Sequence, residues 1–320
     1  MQIKTIGIFG GTGFVGTHLA NCTAELGMRV RIFTRSRARA RHLWPLPHTE
    51  LIEINPGNEN SISEQISGCE AVINLVGILN EKRDNGAEFR HVHTDLTKKI
   101  IKACTDTSVK RYIHMSALNA DPFAASYYLR TKGEAEIASM AAHDAGLPTT
   151  IFRPSVIFGP NDSFFNRFAH LLRMFPVLPL ACAVTKFQPV FVGDVSETIL
   201  SALTDRTTFG MRYDIGGPEV TSLLEIVRYT SNLIKSRALI IPLGPAMSKL
   251  QANLFEYFPG KPFSRDNLRS ASLDNVCRDN NGLSQLGIEP TAINEVVPTY
   301  LGGKFERMRY YDFRSEARRK

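Results

Sequence analysis

Short apolar runs alternate with amphipathic stretches from residue 3 to about residue 155. This alternation is typical of strand–helix units that build a parallel sheet with helices on both faces. We predict strands near Ile3–Phe9, Arg29–Thr34, Glu50–Ile54, Ala71–Val76, Arg111–Met115 and Thr149–Arg153. We predict helices near Phe14–Leu26, Ser61–Ile66, Phe89–Cys104 and Ser126–Ala145. The predicted fold class is therefore α/β, with a doubly wound, mostly parallel sheet.

The regular alternation ends beyond residue 155. The run 187–192 predicts a strand that leads into a helix beginning at Asp194, with that aspartate as the N-cap. Residues 211–215 predict one further strand of the sheet. We therefore expect two parts: a sheet domain of residues 1–158 plus 187–216, and a smaller C-terminal α+β lobe of residues 159–186 and 217–320.

A turn with three glycines follows the first predicted strand. Gly10 suits the backbone angles of a tight turn, Gly13 lets the main chain approach a pyrophosphate, and Gly16 lets the next helix pack closely. The free N–H groups of that helix would then face the phosphate charge. Strand, turn, helix and second strand in this order predict a Rossmann dinucleotide pocket, with an ordinary glycine-rich turn as the alternative. The turn residues assigned to this pocket are Gly10, Thr12, Gly13, Phe14, Val15 and Gly16.

The end of the second strand indicates which dinucleotide is bound. An acid at this place accepts hydrogen bonds from the ribose 2′-hydroxyl of NAD, whereas an arginine pairs with the 2′-phosphate of NADP. This chain has Arg35 there, with Arg37 close by. We therefore predict NADP(H) as the cofactor in preference to NAD(H).

Tyr128 and Lys132 are four residues apart, so on a helix they share one face. A tyrosine ordinarily titrates near pH 10, and a neighbouring ammonium group together with the nicotinamide ring would favour its phenolate. The pair can therefore serve as acid and base. The predicted helix follows the strand Arg111–Met115, whose C-terminal end faces the cofactor in a parallel sheet.

The order of these motifs resembles the short-chain dehydrogenase/reductase superfamily in its extended, epimerase-like form. The resemblance covers nearly the whole chain and is reinforced by the segments Asn74–Gly77, Arg153–Pro160 and Pro189–Val195. It implies catalytic roles for Tyr128, Lys132 and Ser116, and cofactor contacts from Val76, Gly77, Lys132, Pro154 and Val156.

The chain departs from the pattern of active members at two places. Ala117 stands where they usually carry a serine, which leaves Ser116 as the hydroxyl nearest the strand end. Asn58 stands where they usually carry an acid beside the adenine, although its oxygen can still accept a hydrogen bond from the adenine amino group. Cofactor binding is therefore better supported than turnover.

The segments Tyr112–Asp121 and Ser126–Tyr128 look like an atypical branch of the superfamily. That branch includes the NAD(P)H-binding accessory subunits of respiratory complex I and their bacterial relatives, which are linked to structural NADPH and to quinone biosynthesis. The resemblance implies a protein that holds NADPH as a structural or regulatory ligand and works with membrane-associated respiratory or quinone-biosynthesis proteins. An NADP-dependent oxidoreductase or epimerase acting on a hydrophobic substrate is the alternative.

Composition narrows the remaining possibilities. A chain of 320 residues with 43% hydrophobic residues can bury a large core. The first strand starts almost at Met1, which leaves no room for a secretory or transit peptide and predicts a cytoplasmic protein. Five widely spaced cysteines indicate neither a disulfide framework nor a zinc site, and His91 and His93 point to different faces of a helix. We expect no bound metal.

The net charge of +7 comes from an arginine cluster near residue 35 and from the tail 307–320, so we expect no nucleic-acid partner. The tail, rich in basic and aromatic residues, is compatible with an anionic membrane, a partner protein or a frayed terminus. The apolar segment 164–184 is interrupted by Arg167, Arg173 and prolines, so it cannot span a bilayer. A lid, a lipid contact at the inner membrane face and a homodimer remain open.

Overall fold

The computed structural model describes residues 3–57, 59–257, 263–278 and 281–302. The strands are β1 Thr5–Phe9, β2 Arg29–Thr34, β3 Thr49–Glu53, β4 Ala71–Asn74, β5 Arg111–Met115, β6 Thr149–Pro154, β7 Ile157–Phe158, β8 Val177–Leu180, β9 Lys186–Phe187, β10 Val190–Phe191, β11 Arg212–Ile215, β12 Thr221–Ser222 and β13 Leu239–Pro242. The helices are α1 Phe14–Glu25, α2 Glu59–Ile66, α3 Ala87–Phe89, α4 Leu96–Asp106, α5 Tyr127–Asp144, α6 Phe165–Met174, α7 Val192–Thr204, α8 Leu223–Leu233, α9 Pro245–Phe255, α10 Arg265–Ala271, α11 Gly282–Gln285 and α12 Ile293–Leu301.

Seven strands form the central sheet in the order β3-β2-β1-β4-β5-β6-β11. Every neighbouring pair is parallel, so the predicted doubly wound parallel sheet is confirmed. The strand order reverses between β1 and β4, and the crevice at such a reversal is where open α/β sheets bind ligands.

Apolar side chains cover both faces of this sheet. One cluster packs Leu19 of α1 and Ile199 of α7 against β1 and β2. A second cluster packs Ile62 of α2 and Ile100 of α4 against the opposite face. Helices on both faces explain why the strands read as nearly continuous apolar runs rather than as alternating ones.

Arg111 is fully buried at the start of β5, at the sheet edge remote from the crevice. Its guanidinium donates hydrogen bonds to the carbonyl oxygens of Ala202 and Pro148 and to the hydroxyls of Thr150 and Thr208. Burial lowers the pKa of Arg111 to about 10, so the group stays charged at neutral pH. These bonds tie β5, β6 and α7 together.

Two predicted helix starts differ from the structure. The predicted helix Phe89–Cys104 is divided, because a π-helical segment, Arg90–Asp95, lies between α3 and α4. Asp194 is not an N-cap, since α7 already begins at Val192. The Asp194 carboxylate instead accepts hydrogen bonds from the backbone N–H and the hydroxyl of Thr291, at 2.8 and 2.7 Å.

The remaining elements build apolar clusters away from the sheet. Phe158 and Phe165 pack against Val297 and Leu301 of α12, while β8 pairs in parallel with β13 beside α6 and α8. Residues that are far apart in sequence therefore share these clusters. Among the described residues, no helix combines the length and apolar character needed to cross a bilayer.

Candidate functional site

The glycine turn lies at the C-terminal end of β1, beside the strand reversal. Gly10 has a φ of +77°, a region that L side chains rarely adopt, and its carbonyl accepts a 3.0 Å hydrogen bond from the Gly13 N–H. A Cβ on Gly16 would lie 2.4 Å from the Gly10 oxygen and from the Gly11 Cα. Helix α1 can therefore approach the turn this closely only with glycine at position 16.

The first turn of α1 is open to an anion. Gly13 occupies the N-cap without a side-chain hydrogen bond, and the first turn contains no acidic residue. Thr12, Phe14 and Val15 are half-buried and Gly13 is exposed. The N–H groups of this turn and the positive end of the helix dipole thus form a concave place suited to a phosphate.

Arg35 is exposed at the C-terminal end of β2. Among the described residues, no carboxylate lies within ion-pair distance of its guanidinium. The neighbouring acid, Glu53 at the end of β3, accepts a 3.1 Å hydrogen bond from the backbone N–H of Arg37. The Arg35 charge is therefore free to meet an anion near the crevice.

Side-chain hydrogen bonds from Asn74 and His93 hold the chain that follows β4 in place. The buried Asn74 amide oxygen accepts a hydrogen bond from the Val76 N–H, which ends the strand earlier than predicted. Two residues on, the Ile78 N–H donates to Nε2 of His93 at 3.0 Å. His93 stands in the π-helical segment, and its Nδ1 lies 2.9 Å from the Thr131 hydroxyl of α5.

Lys132 is buried beneath this loop. Its ammonium group donates to the carbonyl oxygens of Val76 and Met115, at 3.2 and 3.0 Å. A Cβ on the exposed Gly77 would stand 3.3 Å from the lysine Nζ, so the loop and the lysine are in contact. The structure therefore brings together Val76, Gly77 and Lys132.

Tyr128 lies in the first turn of α5, one turn before Lys132. Its ring meets the rings of His93 and Phe89 edge to face, with centroid separations of 5.4 and 6.1 Å. The phenol and the ammonium thus belong to the same face of the helix, as their spacing predicts.

An acid from a distant part of the chain holds the start of α5. Asp266 of α10, which is 2% exposed, accepts hydrogen bonds from the Ser126 hydroxyl and from the backbone N–H groups of Tyr127 and Tyr128. The three distances are 2.8, 2.7 and 3.1 Å. Because this carboxylate binds N–H groups that a helix start leaves unpaired, it fixes the turn that carries Tyr128.

Burial dominates the titration of these groups. It raises the pKa of the Tyr128 phenol to about 12 and lowers the pKa of Lys132 to about 8, the latter against the attraction of Glu136. Burial next to Lys132 also lowers the pKa of His93 well below its usual range, and that of His114 to about 3. Both histidines are neutral at pH 7, and the free protein holds Tyr128 as a phenol.

Ser116 is engaged in a different contact from the one that its family resemblance implies. Its buried hydroxyl donates a 2.5 Å hydrogen bond to Glu136, a residue of α5 one turn beyond Lys132. Glu136 is 3% exposed and forms a bidentate ion pair with Arg153 of β6. The serine hydrogen is therefore committed to a buried charge cluster.

Pro154 is buried and Val156 is half-buried after β6. Their segment is bound to Asn275, whose amide oxygen accepts hydrogen bonds from the Val156 N–H and the Ser155 hydroxyl, at 3.1 and 2.7 Å. Asn58, expected beside the adenine, lies outside the described residues. So does the tail 307–320.

The parts of the site that sequence reasoning missed are His93, Glu136, Asp266 and Asn275. Glu136 had a weak local signal, because it lies one turn after Lys132 on the same helix. His93 had none, since no predicted site residue lies on its own segment. Asp266 and Asn275 had none, since each contacts the site across more than a hundred residues of chain. Among the described residues, no group of three or more histidine, cysteine or acidic side chains could hold a metal ion.

Comparisons with known proteins agree with this geometry. The sequence model of a family described as NAD(P)H-binding matches residues 10–162. NADH dehydrogenase (ubiquinone) 1 alpha subcomplex subunit 9, mitochondrial, of Mus musculus is 30% identical over 89% of this chain and 76% of that protein. The ceramide reductase of Caulobacter vibrioides is 27% identical over 61% of this chain and 60% of its own length.

A solved structure shares the fold. The dTDP-glucose 4,6-dehydratase DesIV of Streptomyces venezuelae, with NAD bound, superimposes with a TM-score of 0.74 at 16% identity and covers 98% of both chains. This likeness concerns the fold alone. It shows that the two chains share the arrangement of the described parallel sheet and its covering helices.

Proposed function

The chain belongs to the family of the alpha subcomplex subunit 9 proteins, and an NAD(P)H-binding sequence model matches its residues 10–162. We therefore propose that it holds NADPH as a structural or regulatory ligand. The pyrophosphate would meet the open first turn of α1, and Lys132 would hold the nicotinamide end. A ligand that binds only the folded state stabilises it by about 4 kcal/mol at a thousand times its dissociation constant. The ligand would thus act through stability rather than through turnover.

The single observation that carries this proposal is the contact between Ser116 and Glu136. In a hydride-transfer site the developing oxyanion needs a hydroxyl donor beside the tyrosine. Here the Ser116 hydroxyl at the end of β5 donates to a buried carboxylate that Arg153 already pairs. Together with Ala117 at the next position, this contact supports a site that binds a dinucleotide without turning over a substrate.

We also propose NADPH in preference to NADH. Arg35 supports this, because an exposed guanidinium without an ion pair among the described residues can form charge-assisted hydrogen bonds to a 2′-phosphate. The neighbouring acid at the end of β3, Glu53, accepts a hydrogen bond from the Arg37 N–H and forms no ion pair with Arg35 among the described residues.

A second function, an NADP-dependent reductase or epimerase, is favoured by one observation. Tyr128 and Lys132 stand on one face of α5 beside the loop after β4, where an acid and base would be needed. The similarity to a ceramide reductase gives this alternative a substrate class, a hydrophobic lipid. It requires Ser116 to leave Glu136 when substrate binds.

The partners proposed here rest on the similarity to subunits of NADH dehydrogenase (ubiquinone) and on the family resemblance in the sequence. We propose that the chain works with a membrane-associated respiratory or quinone-biosynthesis assembly, at the inner face of the membrane that carries it. A homodimer remains a further proposal. The division into a sheet domain and a smaller lobe, with the boundaries predicted from sequence, is retained as a proposal as well.

The cofactor proposal is tested by mass spectrometry of the nucleotide that purifies with the protein, and by calorimetry with NADPH and NADH. We expect NADPH to bind at least tenfold more tightly, which corresponds to about 1.4 kcal/mol. Arg35→Ala should remove most of that difference. Arg29→Ala, which deletes an exposed arginine at the opposite end of β2, is the matched control and should keep it. Equal affinities in the unaltered protein would reject the preference.

Tyr128→Phe separates the two functions. If NADPH is a structural ligand, its affinity and the melting temperature of the variant should stay within error of the unaltered protein. If the chain is an enzyme, the same change should abolish NADPH oxidation with quinone or lipid substrates. Finding substrate-dependent NADPH oxidation that this variant loses would overturn the structural-ligand proposal.

A further inference from the structure

Apolar side chains occupy the outer face of the small sheet formed by β8 and β13. Along β8, Val177 and Pro179 are exposed while Leu178 and Leu180 are buried. The register places Leu239 beside Val177 and Ile241 beside Pro179. Solvent-facing positions of a half-buried sheet are ordinarily polar, whereas all four here are apolar.

Helix α9 extends this surface. Its exposed apolar residues Met247, Leu250 and Leu254 follow one another at helical spacing and are 53%, 49% and 56% exposed. Gln251 of the same helix donates a 2.9 Å hydrogen bond to the Pro179 carbonyl of β8, which holds α9 against the small sheet. Seven of the exposed apolar side chains on these three elements form what we call the apolar face: Val177, Pro179, Leu239, Ile241, Met247, Leu250 and Leu254.

The two stretches of chain that supply the apolar face carry charges of one sign. Residues 163–193 and 226–255, which supply the face and its surroundings, contain no aspartate or glutamate. The same two stretches contain Arg167, Arg173, Lys186, Arg228, Lys235, Arg237 and Lys249. Arg173, Arg237 and Lys249 are exposed next to α6, β13 and α9, respectively. A surface that binds this face must therefore be apolar in its middle and negatively charged around it.

We propose that the apolar face docks onto the surface of an anionic lipid bilayer. The apolar side chains would enter the boundary between headgroups and acyl chains, while the lysines and arginines would pair with the lipid phosphates. An anionic bilayer thus offers an apolar interior for the apolar side chains and negative charge for the basic residues. Such docking requires no spanning helix.

Two other occupants fit the charge less well. A second copy of the chain would oppose the face to itself across a two-fold axis, which would bring Arg237 and Lys249 near their own counterparts. The chain's residues 303–320 carry seven basic and three acidic side chains, so their net positive charge is repelled as well.

Docking of the apolar face would specify how the chain contacts the membrane, and in that respect it rests on the proposed function at a membrane. Its failure is nevertheless distinguishable, because vesicle binding reads the apolar face and calorimetry with NADPH reads the dinucleotide site. The two measurements concern different elements of the fold.

The test is flotation of the full chain with vesicles of phosphatidylcholine alone or with 30% phosphatidylglycerol. We expect binding only to the anionic vesicles, weakened by salt. Arg237→Glu with Lys249→Glu should lower the partition coefficient more than tenfold, since each basic residue near an anionic surface contributes about a fivefold factor. Met247→Ser, Leu250→Ser and Leu254→Ser together should abolish binding. The matched controls, Lys98→Glu on α4 and Leu26→Ser after α1, are exposed elsewhere and should bind normally.

Each variant is checked by circular dichroism and thermal melting, which report its folding whether or not the chain binds NADPH. Hydrogen exchange of the unaltered protein supplies a measurement that needs no variant: anionic vesicles should slow exchange in residues 239–254. The proposal is overturned by absence of binding to anionic vesicles, by equal binding of the variants, or by unchanged exchange. It is also overturned if the triple serine variant differs only in self-association or in capture of a partner protein.

Discussion

Removing the Asp266 carboxylate should weaken the first turn of α5 and with it the site around Tyr128. Asp266→Ala leaves the backbone N–H groups of Tyr127 and Tyr128 without the acceptor that they have at 2.7 and 3.1 Å. It also frees the Ser126 hydroxyl. Ser126 can still accept from the Leu129 N–H, so part of the helix cap survives the change.

The magnitude follows from the number of bonds lost. A hydrogen bond to a charged acceptor contributes about 2 kcal/mol, and two backbone donors lose theirs. We therefore expect the free energy of unfolding to fall by about 4 kcal/mol. Asp266→Asn, which keeps one acceptor oxygen but no charge, should lose about half as much. Because the turn carries Tyr128, NADPH affinity should fall in the same order.

The assay is urea unfolding, with calorimetric NADPH titration of the same samples. Asp84→Asn is the matched control, because Asp84 pairs with Arg269, the same arginine that contacts Asp266, but is not among the residues that cap α5. If the control loses as much stability as Asp266→Ala, the effect belongs to the arginine pairs and not to the helix start. A loss below about 1 kcal/mol for Asp266→Ala would refute the reasoning outright.

Two further changes test the core of the site. Burial lowers the pKa of His114 from its ordinary 6.5 to about 3. Between these two pH values the unfolded chain binds a proton that the folded chain does not. The free energy of unfolding therefore falls as the pH drops. His114→Leu should therefore reduce the slope of the unfolding free energy against pH by about 1.4 kcal/mol per pH unit between pH 6 and pH 4. The measurement is urea unfolding at several pH values, and equal slopes for the variant and the unaltered protein would contradict this reasoning. Gly16→Ala should cost about 1–3 kcal/mol and most of the NADPH affinity, because its Cβ would overlap the Gly10 carbonyl. Gly244→Ala, at the N-cap of α9, has a Cβ that meets nothing within 4 Å; it should cost less than about 1 kcal/mol and leave the NADPH affinity unchanged. Equal effects of the two glycine changes, measured by thermal melts and calorimetry, would exclude the close approach of α1 as the cause.

Local signals in the sequence were sufficient for the sheet and for the glycine turn. The strand Arg29–Thr34 and the strand Arg111–Met115 were predicted with the bounds that the structure has, because apolar runs of a parallel sheet are set by burial on both faces. The turn at Gly10 could be predicted from the sequence, because the positive φ that it needs depends on that residue alone and not on a distant partner.

Residues whose role depends on distant partners were not predictable in the same way. Asp194 looked like an N-cap because acids favour helix starts, but Thr291, almost a hundred residues away, binds its carboxylate. Ser116 was predicted as the hydroxyl nearest the strand end, and no local pattern indicated that it donates to Glu136 on another element. The ion pair between Glu136 and Arg153 likewise forms only in the folded chain. The roles of Asp266 and Asn275 likewise require the three-dimensional arrangement.

The route of the chain also bears on how the molecule can be made. The polypeptide leaves the large sheet after β6, forms β8, returns to add β11, and only then supplies β13, the neighbour of β8. Once residue 216 has left the ribosome, every strand of the large sheet is therefore available, but the residues that cover Leu178, Leu180 and Phe165 are not yet all present. Until the last hundred residues emerge, such a nascent chain is a substrate for chaperones, and fragments ending near position 216 should aggregate.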